Sequence, residues 1–237
     1  MTRIWLRSRR LLFVLLLVVI AVTWETAPLA GRQAALAGVH PVSGRQYAMP
    51  MGVEGAAWLE RRERVDEEEP DRALRLLKLQ KGAVVADVGE GSGYFTVRLA
   101  KLVGPTGRVY ASDIQRGMLD LLAKNVAKAR LDNVTPVLGA LDDPRLPAAT
   151  LDLVIMVDVY HEFSQPQAML ARIRESLKPG GRLVLLEYRA EDPEVPIIPS
   201  HKMTKAQVKL EVEHEGFRQL QVHDDLPRQH LIVFTRP

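Results

Sequence analysis

The chain has 237 residues, 47% of them hydrophobic, which is enough to bury one substantial core. Cysteine is absent, so disulfides, thiolate metal sites and a lipidated cysteine anchor are excluded. The formal net charge of +3 comes from residues 1–37, which carry five arginines and one glutamate; the remainder is weakly acidic at −1, so no electrostatic argument favours nucleic-acid binding.

The N-terminus combines a basic head with an apolar block. Arginines at positions 3, 7, 9 and 10 precede an uninterrupted apolar run from Leu11 to Val22. This arrangement is typical of an export signal, and with Thr23 and Trp24 the run approaches the roughly 17 residues needed to span a bilayer. Residues 1–24 are therefore predicted to be a cleaved signal or, with slight preference, an uncleaved membrane anchor.

The arginines would hold the N-terminus in the cytoplasm and send the rest outward, so we expect a membrane-anchored or exported protein. A domain on the cytoplasmic face is the alternative. Residues 25–50 are rich in Ala, Gly and Pro and are predicted to be a tether, followed by one domain over 51–237. At the start of this domain, the charged run 58–70 is predicted to be a solvated helix face, and residues 71–80 a short amphipathic helix.

From residue 83 onward, β-rich runs alternate with helical stretches. The strand-like runs are 83–88, 108–113, 134–139, 151–158, 182–188, 217–224 and 230–235, and the helical stretches are 93–103, 115–130, 166–178 and 204–215. Alternation of this kind predicts parallel strands with crossover helices, whereas the short connection between the last two runs predicts an antiparallel hairpin. The predicted α/β fold is a Rossmann-like, seven-stranded, mostly parallel sheet with one antiparallel strand and helices on both faces. Its ligand should lie at the carboxyl ends of the strands.

A glycine-rich turn follows the first strand of this sheet. Asp87 ends the strand, and Gly89, Gly91 and Gly93 alternate before an aromatic helix start. Glycines let the backbone turn sharply and approach a ligand, and the following helix aims free N–H groups at the turn. Twenty residues later the second strand ends on Asp113, where a carboxylate can bind both hydroxyls of a ribose.

The pattern acid-x-G-x-G-x-G resembles the first motif of class I S-adenosylmethionine-dependent methyltransferases. The likeness extends over about residues 39–237, and the chain is similar to a bacterial, often signal-bearing branch of that class. Its recognisable features are Trp58–Arg61, Glu67–Pro70, Asp158–Glu162, Leu177–Gly181 and Leu226–Gln229. The resemblance implies the class I methyltransferase fold and S-adenosyl-L-methionine as cofactor, but no particular acceptor.

Carried over by this resemblance, the three glycines would approach the methionyl portion of the cofactor, and Asp113 would bind the ribose diol. Asp87 would either orient the turn or hold the amino group. Asp158 lies where the fourth strand opens towards the sulfonium. Many relatives place an adenine-binding acid directly after the glycine that ends the third strand, but this chain has Ala140 there, so Asp142 or Asp143 is the candidate.

Two residues after the fourth strand are candidates for catalysis. His161 is a candidate general base, because histidine titrates near neutrality, although a structural role is equally compatible with its position. Tyr160 is a candidate wall of the cofactor or acceptor site, and Glu162 beside them is predicted to be a solvated loop acid. The proline-bearing loop 192–199, which leads to His201, is a candidate lid. Since no histidine or carboxylate spacing is typical of a metal site, no metal is predicted.

The sequence therefore predicts a methyltransferase that acts on a small-molecule acceptor by in-line displacement, without nucleic acid and at a membrane through its N-terminal segment. A non-catalytic S-adenosylmethionine-binding protein is the main alternative, because an outward-facing domain would meet little cytosolic cofactor. Aminopropyl transfer from the same cofactor is a third hypothesis. The sequence indicates neither the acceptor atom nor the oligomeric state.

Overall fold

The computed structural model describes residues 38–237. Seven strands form one sheet in the order β3-β2-β1-β4-β5-β7-β6. Their bounds are β1 Val84–Val88, β2 Arg108–Asp113, β3 Val134–Leu138, β4 Leu151–Val157, β5 Leu177–Tyr188, β6 Arg218–His223 and β7 Gln229–Thr235. Strands β1 to β5 pair in parallel, and β7 pairs antiparallel with both β5 and β6. The predicted sheet, mostly parallel with a single reversed strand, is confirmed.

Seven α-helices accompany this sheet within residues 38–237. Their bounds are α1 Ala56–Leu59, α2 Arg64–Glu68, α3 Pro70–Leu76, α4 Tyr94–Val103, α5 Arg116–Ala129, α6 Pro166–Ser176 and α7 Lys205–His214. Helix α7 begins with the capping box that its sequence predicts, because Thr204 and Gln207 exchange side-chain and backbone hydrogen bonds.

Both faces of the sheet are buried, as the alternation of the central strands shows. In β4, Val154 and Met156 pack into one core with residues of α6 and α7, whereas Leu153 and Ile155 pack into a second core with α3 and α4. Because successive side chains of a strand point to opposite faces, a continuous apolar run places helices on both sides. The predicted helices on both faces are thereby confirmed.

The ends of two predicted elements differ from the structure. Strand β5 begins at Leu177, so the segment between the predicted helical stretch 166–178 and the predicted strand 182–188 lies inside the strand. The pairing register between β4 and β5 shifts at this segment, so the additional residues of β5 form an irregularity in the strand. Gly180, with a φ of +74°, allows the backbone to adopt this irregular conformation. Helix α3 ends at Leu76 rather than near residue 80, and the backbone turns at Lys78, whose φ is +49°.

The described part of the predicted tether, residues 38–50, packs against the domain. The Ala48 N–H donates a hydrogen bond to the His161 carbonyl at 3.0 Å, and the Arg45 guanidinium pairs with buried Glu211 at 3.1 and 3.0 Å. This stretch is attached to the domain rather than standing off as a tether. The predicted signal or anchor, 1–24, lies outside the described residues. Within 38–237, no helix has the length and apolar character required to cross a bilayer.

Candidate active site

A cavity of about 400 Å³ opens at the carboxyl ends of strands β1 to β5. The segments that follow the strands all contribute to its lining: Gly89 and Gly91 after β1, Asp113 and Ile114 after β2, Ala140 and Leu141 after β3, Asp158, His161 and Glu162 after β4, and Ile197, Ile198 and His201 after β5. The turns that were predicted to face a ligand therefore share one cavity.

The turn after β1 depends on two glycines. Gly89 and Gly91 have φ values of +71° and +57°, a region that costs other residues energy. A Cβ at Gly89 would lie 2.3 Å from a Val159 methyl group, and one at Gly91 would lie 2.8 Å from Leu59 Cδ1. Any side chain at these positions would therefore strain the turn and reshape the cavity wall.

Gly93 and Asp87 support this turn from behind, and neither lines the cavity. A Cβ at Gly93 would lie 2.5 Å from Leu122 Cδ1, so this glycine lets α4 pack closely against α5. Asp87 is buried and accepts a hydrogen bond at 2.6 Å from the Thr96 hydroxyl in the first turn of α4. Burial raises the pKa of Asp87 to about 6. Of the two roles predicted for Asp87, this placement favours orientation of the turn.

Asp113 lies in the cavity wall with its carboxylate fixed by the backbone. Its Oδ2 accepts from the Gly91 N–H at 3.1 Å, and its Oδ1 accepts from the Gln115 N–H at 2.8 Å. Burial raises the pKa of Asp113, whereas these N–H donors act in the opposite direction. Because a carboxylate oxygen can accept a second hydrogen bond, the group remains able to bind a diol.

Asp158 offers a buried acceptor to the same cavity. Its φ is +50°, and its Oδ2 accepts from the Gln229 amide at 2.7 Å. Its Oδ1 has no hydrogen-bond partner among residues 38–237. Burial, reinforced by the charges of Glu68 and Glu187, raises the pKa of Asp158 well above its usual range.

Asp142 and Asp143, the two candidates for adenine binding, do not line the cavity, and the Asp142 side chain is exposed. The Ala140 N–H donates to the Asp143 carbonyl at 2.7 Å and closes a tight turn after β3. The part of this turn that does reach the cavity is apolar, Ala140 and Leu141, and Ile114 after β2 lines the same cavity. The cavity wall after β3 is therefore apolar, and the acid predicted for adenine binding lies outside it.

His161 lies on the single helical turn Tyr160–Glu162 and is held by a buried carboxylate. Its Nδ1 is 2.6 Å from Glu187 Oε2, and Glu187 Oε1 accepts from the Tyr160 N–H at 3.0 Å. His161 lines the cavity, but Tyr160 is fully buried in the core, where its ring packs edge-on against Phe163. The predicted wall role of Tyr160 is corrected: its backbone positions the carboxylate that orients His161.

Two residues beside His161 were not predicted to share its site. His161 Nε2 is 3.0 Å from His201 Nδ1, and Glu162 Oε1 lies 4.0 Å from the former atom and 3.8 Å from the latter. Burial raises the pKa of Glu162 to about 7. The sequence predicts His201 near a lid and Glu162 as a solvated acid, and no short spacing joins positions 161 and 201.

The charged run 58–70 is partly buried, which corrects its prediction as a solvated helix face. Arg64 and Glu68 are 4% and 0% exposed, and Arg64 Nε lies 2.6 Å from Glu68 Oε2. Glu68 also accepts from the Tyr188 hydroxyl at 2.7 Å, and Arg64 Nη2 lies 3.9 Å from Asp158 Oδ2. This buried charge cluster anchors α2 over the carboxyl ends of β4 and β5.

The loop after β5 covers the side of the cavity next to His161 and His201. Pro196, Ile197 and Ile198 line the cavity, and the Lys202 ammonium donates to the carbonyls of Asp192 and Val195 at 3.1 and 3.3 Å. The loop predicted as a lid therefore lies over the site in this structure.

Glu90 stands between the two strained glycines and carries a buried carboxyl group. Neither of its oxygens has a hydrogen-bond partner among the described residues. Burial, followed by the charges of Asp87 and Asp113, raises the pKa of Glu90 to about 10. Glu90 is therefore a neutral acid at pH 7, so it does not add a negative charge beside the carboxyl groups of Asp87 and Asp113.

Because the pKa of Glu90 is raised in the folded protein, its contribution to the free energy of unfolding should decrease as pH rises. Between about pH 4.5, the usual value, and pH 10, the folded protein holds a proton that the unfolded chain releases. Stability should fall through this window, and Glu90→Gln, which cannot ionise, should gain at least about 1 kcal/mol relative to the parent between pH 5 and pH 8. Urea unfolding of the ligand-free proteins measures this difference. The matched control is Glu63→Gln, at an exposed position. If the free energy of unfolding changed with pH equally in the parent, Glu90→Gln and Glu63→Gln, the conclusion that Glu90 is a buried neutral acid would be contradicted.

A seven-stranded sheet with a reversed β7, and a strained glycine turn facing an acid at the end of β2, defines the class I methyltransferase fold. Comparison with known proteins agrees: residues 85–181 match the methyltransferase domain family. The protein is also similar to a SAM-dependent methyltransferase from Aquifex aeolicus, with 26% identity and a TM-score of 0.75, over 79% of this chain and 100% of that one. Residues 85–181 are therefore a methyltransferase domain, and the chain has the fold of class I S-adenosylmethionine-dependent methyltransferases.

Curated relatives match over a shorter region. A protein-L-isoaspartate O-methyltransferase from Methanothrix thermoacetophila is 32% identical over 110 residues, which cover 46% of this chain and 50% of the relative. A demethylmenaquinone methyltransferase from a Geobacillus species is 31% identical over 114 residues, 48% of this chain and 49% of the relative. The chain thus spans about half the length of these relatives.

Proposed function

We propose that the protein transfers the methyl group of S-adenosylmethionine to a small acceptor molecule that occupies the same cavity. One observation carries this proposal: the glycine turn with Asp113 and the imidazole of His161 line a single cavity of about 400 Å³. The residues that would bind the cofactor and the imidazole that would activate an acceptor therefore line the same cavity.

The cofactor half of the cavity fits this ligand. The backbone at Gly89 and Gly91 passes where any Cβ would collide, so the turn can lie close to the methionyl portion. Asp113 would accept from the ribose hydroxyls, Asp158 Oδ1 would accept from a cationic group, and Ile114 and Leu141 would cover the adenine face. Bound there, S-adenosylmethionine supplies a methyl group that its positively charged sulfur has already activated.

The acceptor half is an apolar chamber with one polar end. Met51, Trp58, Phe163 and Ile197 line its walls, and the polar end is formed by His161 together with Glu162 and His201. The chamber favours an acceptor with an apolar body and a single reactive heteroatom. Holding that atom in line with the methyl group can contribute about 7–11 kcal/mol to the rate, which makes alignment the main task of these residues.

His161 is oriented to take a proton from such an acceptor. Its Nδ1 faces Glu187, which fixes the tautomer that leaves the Nε2 lone pair towards the cavity. General-base assistance of this kind is worth roughly 10²–10⁴-fold. The loop residues Pro196 to Ile198 would keep water away from the reacting atoms.

Substitution of Asp113 tests the cofactor assignment. Asp113→Ala is expected to weaken binding of S-adenosylhomocysteine, measured by calorimetry, by about 1.5–3 kcal/mol, the scale for hydrogen bonds to a charged group. Asp120→Ala, on the exposed side of α5, is the matched control and should bind as the parent does. Equal affinities for both variants would place the ribose elsewhere.

A screen with isotope-labelled methyl donor and fractionated metabolites separates methyl transfer from the alternative of a non-catalytic binding protein. Labelled product that disappears in the His161→Ala variant supports transfer. Tight binding of S-adenosylhomocysteine without any labelled product across the fractions would favour the binding protein.

A further inference from the structure

We infer that His161, Glu162 and His201 bind one divalent transition-metal ion, with Zn²⁺ the best match, at the acceptor end of the cavity. His161 Nε2 and His201 Nδ1 are 3.0 Å apart, and Glu162 Oε1 lies 4.0 Å from the first nitrogen and 3.8 Å from the second. A point equidistant from atoms with these separations lies about 2.1 Å from each, which is the length of zinc bonds to histidine nitrogen and carboxylate oxygen. The side chains are thus already spaced as ligands of one ion.

The surroundings of His161 add a second, independent feature of a metal site. Glu187 is fully buried and accepts from His161 Nδ1 at 2.6 Å, so the Nε2 lone pair is directed towards His201 and Glu162. Carboxylates that orient a ligating histidine through its other ring nitrogen are a regular part of metal sites. Glu187 is itself fixed by the Tyr160 N–H, which gives the arrangement rigidity.

The type of ligand selects the class of ion. Two imidazoles and one carboxylate suit zinc and other first-row transition metals, whereas magnesium prefers an all-oxygen shell. Three protein ligands leave at least one coordination position for another molecule, as in catalytic zinc sites. Because all three residues line the cavity, that position faces the space assigned to the acceptor.

The ion would bind the heteroatom of the acceptor and replace His161 as the means of activating it. An oxygen, nitrogen or sulfur that carries hydrogen would lose its proton to water on coordination, since a metal ion lowers the pKa of its ligands. The heteroatom would then form a bond to the methyl carbon while the carbon–sulfur bond breaks and its electron pair stays on the sulfur. This role depends on the proposed methyl transfer, whereas the ion site itself does not.

Titration of the full-length, chelator-treated protein with zinc chloride tests the site directly. Calorimetry should show that one zinc ion binds per chain with high affinity. Co²⁺ in the same site should give the visible absorption spectrum of a four- or five-coordinate ion. His201→Ala and Glu162→Gln should each weaken zinc binding by more than about 100-fold, beyond the 10–100-fold typical of an outer-shell partner. Exposed His214→Ala should bind zinc as the parent does.

Glu187→Gln separates a positioning role from simple structural support. It should weaken zinc binding by roughly 10–100-fold while the thermal unfolding midpoint shows that the fold persists. A parent protein without stoichiometric zinc binding, or a His201→Ala variant with unchanged affinity, would overturn the inference.

Titration with S-adenosylhomocysteine keeps the ion site and the proposed function apart. His201→Ala should retain binding of this ligand, because the side-chain partners of His201 are His161 and Glu162 rather than the glycine turn or Asp113. A protein that binds zinc but not S-adenosylhomocysteine would support the ion site and overturn its role in methyl transfer.

Discussion

The Gly91→Val substitution is expected to abolish binding of S-adenosylhomocysteine. Residue 91 has a φ of +57°, and an added Cβ would lie 2.8 Å from Leu59 Cδ1 in the cavity wall. The branched side chain is poorly accommodated at a positive φ, so the turn must shift, and the Gly91 N–H would then leave Asp113 Oδ2. One change thereby disturbs both the turn and the Asp113 carboxylate, which are proposed to bind the methionyl portion and the ribose. Calorimetry should find a loss of more than about 100-fold, or about 2.7 kcal/mol.

Gly180→Val provides the matched control for backbone strain. Gly180 has a φ of +74°, but an added Cβ would meet no atom within 4 Å, and the residue lies outside the cavity. This variant should lose some stability and keep its affinity for S-adenosylhomocysteine. Retained micromolar binding by Gly91→Val, or an equal loss in both variants, would contradict a direct role for the turn.

The strands and helices could be predicted because their signals are local. The run from Leu151 to Val157 is apolar apart from Asp152, which fits a strand buried on both faces, and the structure confirms it. The glycine turn could be predicted in the same way, because alternating glycines are typical of a backbone that turns sharply close to a ligand. Each of these features depends on neighbouring residues in the chain, so a single sequence reveals it.

The misplaced residues depend on contacts that no local pattern encodes. Glu68 belongs to a run of charges that would ordinarily be solvated, yet Arg64 and the Tyr188 hydroxyl satisfy it inside the domain. His201 reaches His161 only because the loop after β5 folds back over the cavity. Asp142 was assigned by its distance from β3, but a tight turn directs it outward. Tertiary packing decided the first two, and a local turn decided the third.

The charges beside the cavity explain why this end of the sheet tolerates so many acids. Asp87 is buried within β1 and Asp158 is largely buried just after β4, and burial raises the pKa of each carboxyl. Arg64 is the cation that acts in the opposite direction on both. It also donates to the Leu59 carbonyl at 2.9 Å and lies over the Tyr94 ring at 4.5 Å. A single arginine therefore connects α2 with the end of α1, the start of α4 and the end of β4.

Removal of this arginine should have the largest effect on stability. Arg64→Leu leaves Asp158 without its cation and buried Glu68 with Arg61 as its remaining one, and breaking a buried ion pair on one side costs about 3–5 kcal/mol. Urea unfolding at pH 8 should show this loss. Arg62→Leu, two residues away and exposed, should change the free energy of unfolding by no more than about 0.5 kcal/mol.

The loss caused by Arg64→Leu should shrink as pH falls. Without the cation, the folded-state pKa of Asp87 moves above its value of about 6, so the folded variant takes up protons that the unfolded chain releases. Stability of the variant then falls as pH rises from about 4 through that pKa, and the difference from the parent should be smaller at pH 5 than at pH 8. Adding Glu68→Leu should recover part of the loss, because an apolar pair can replace a buried ion pair. If the cost were independent of pH and unaffected by Glu68→Leu, Arg64 would act through packing alone, and the acids at this end of the sheet would need another source of charge compensation.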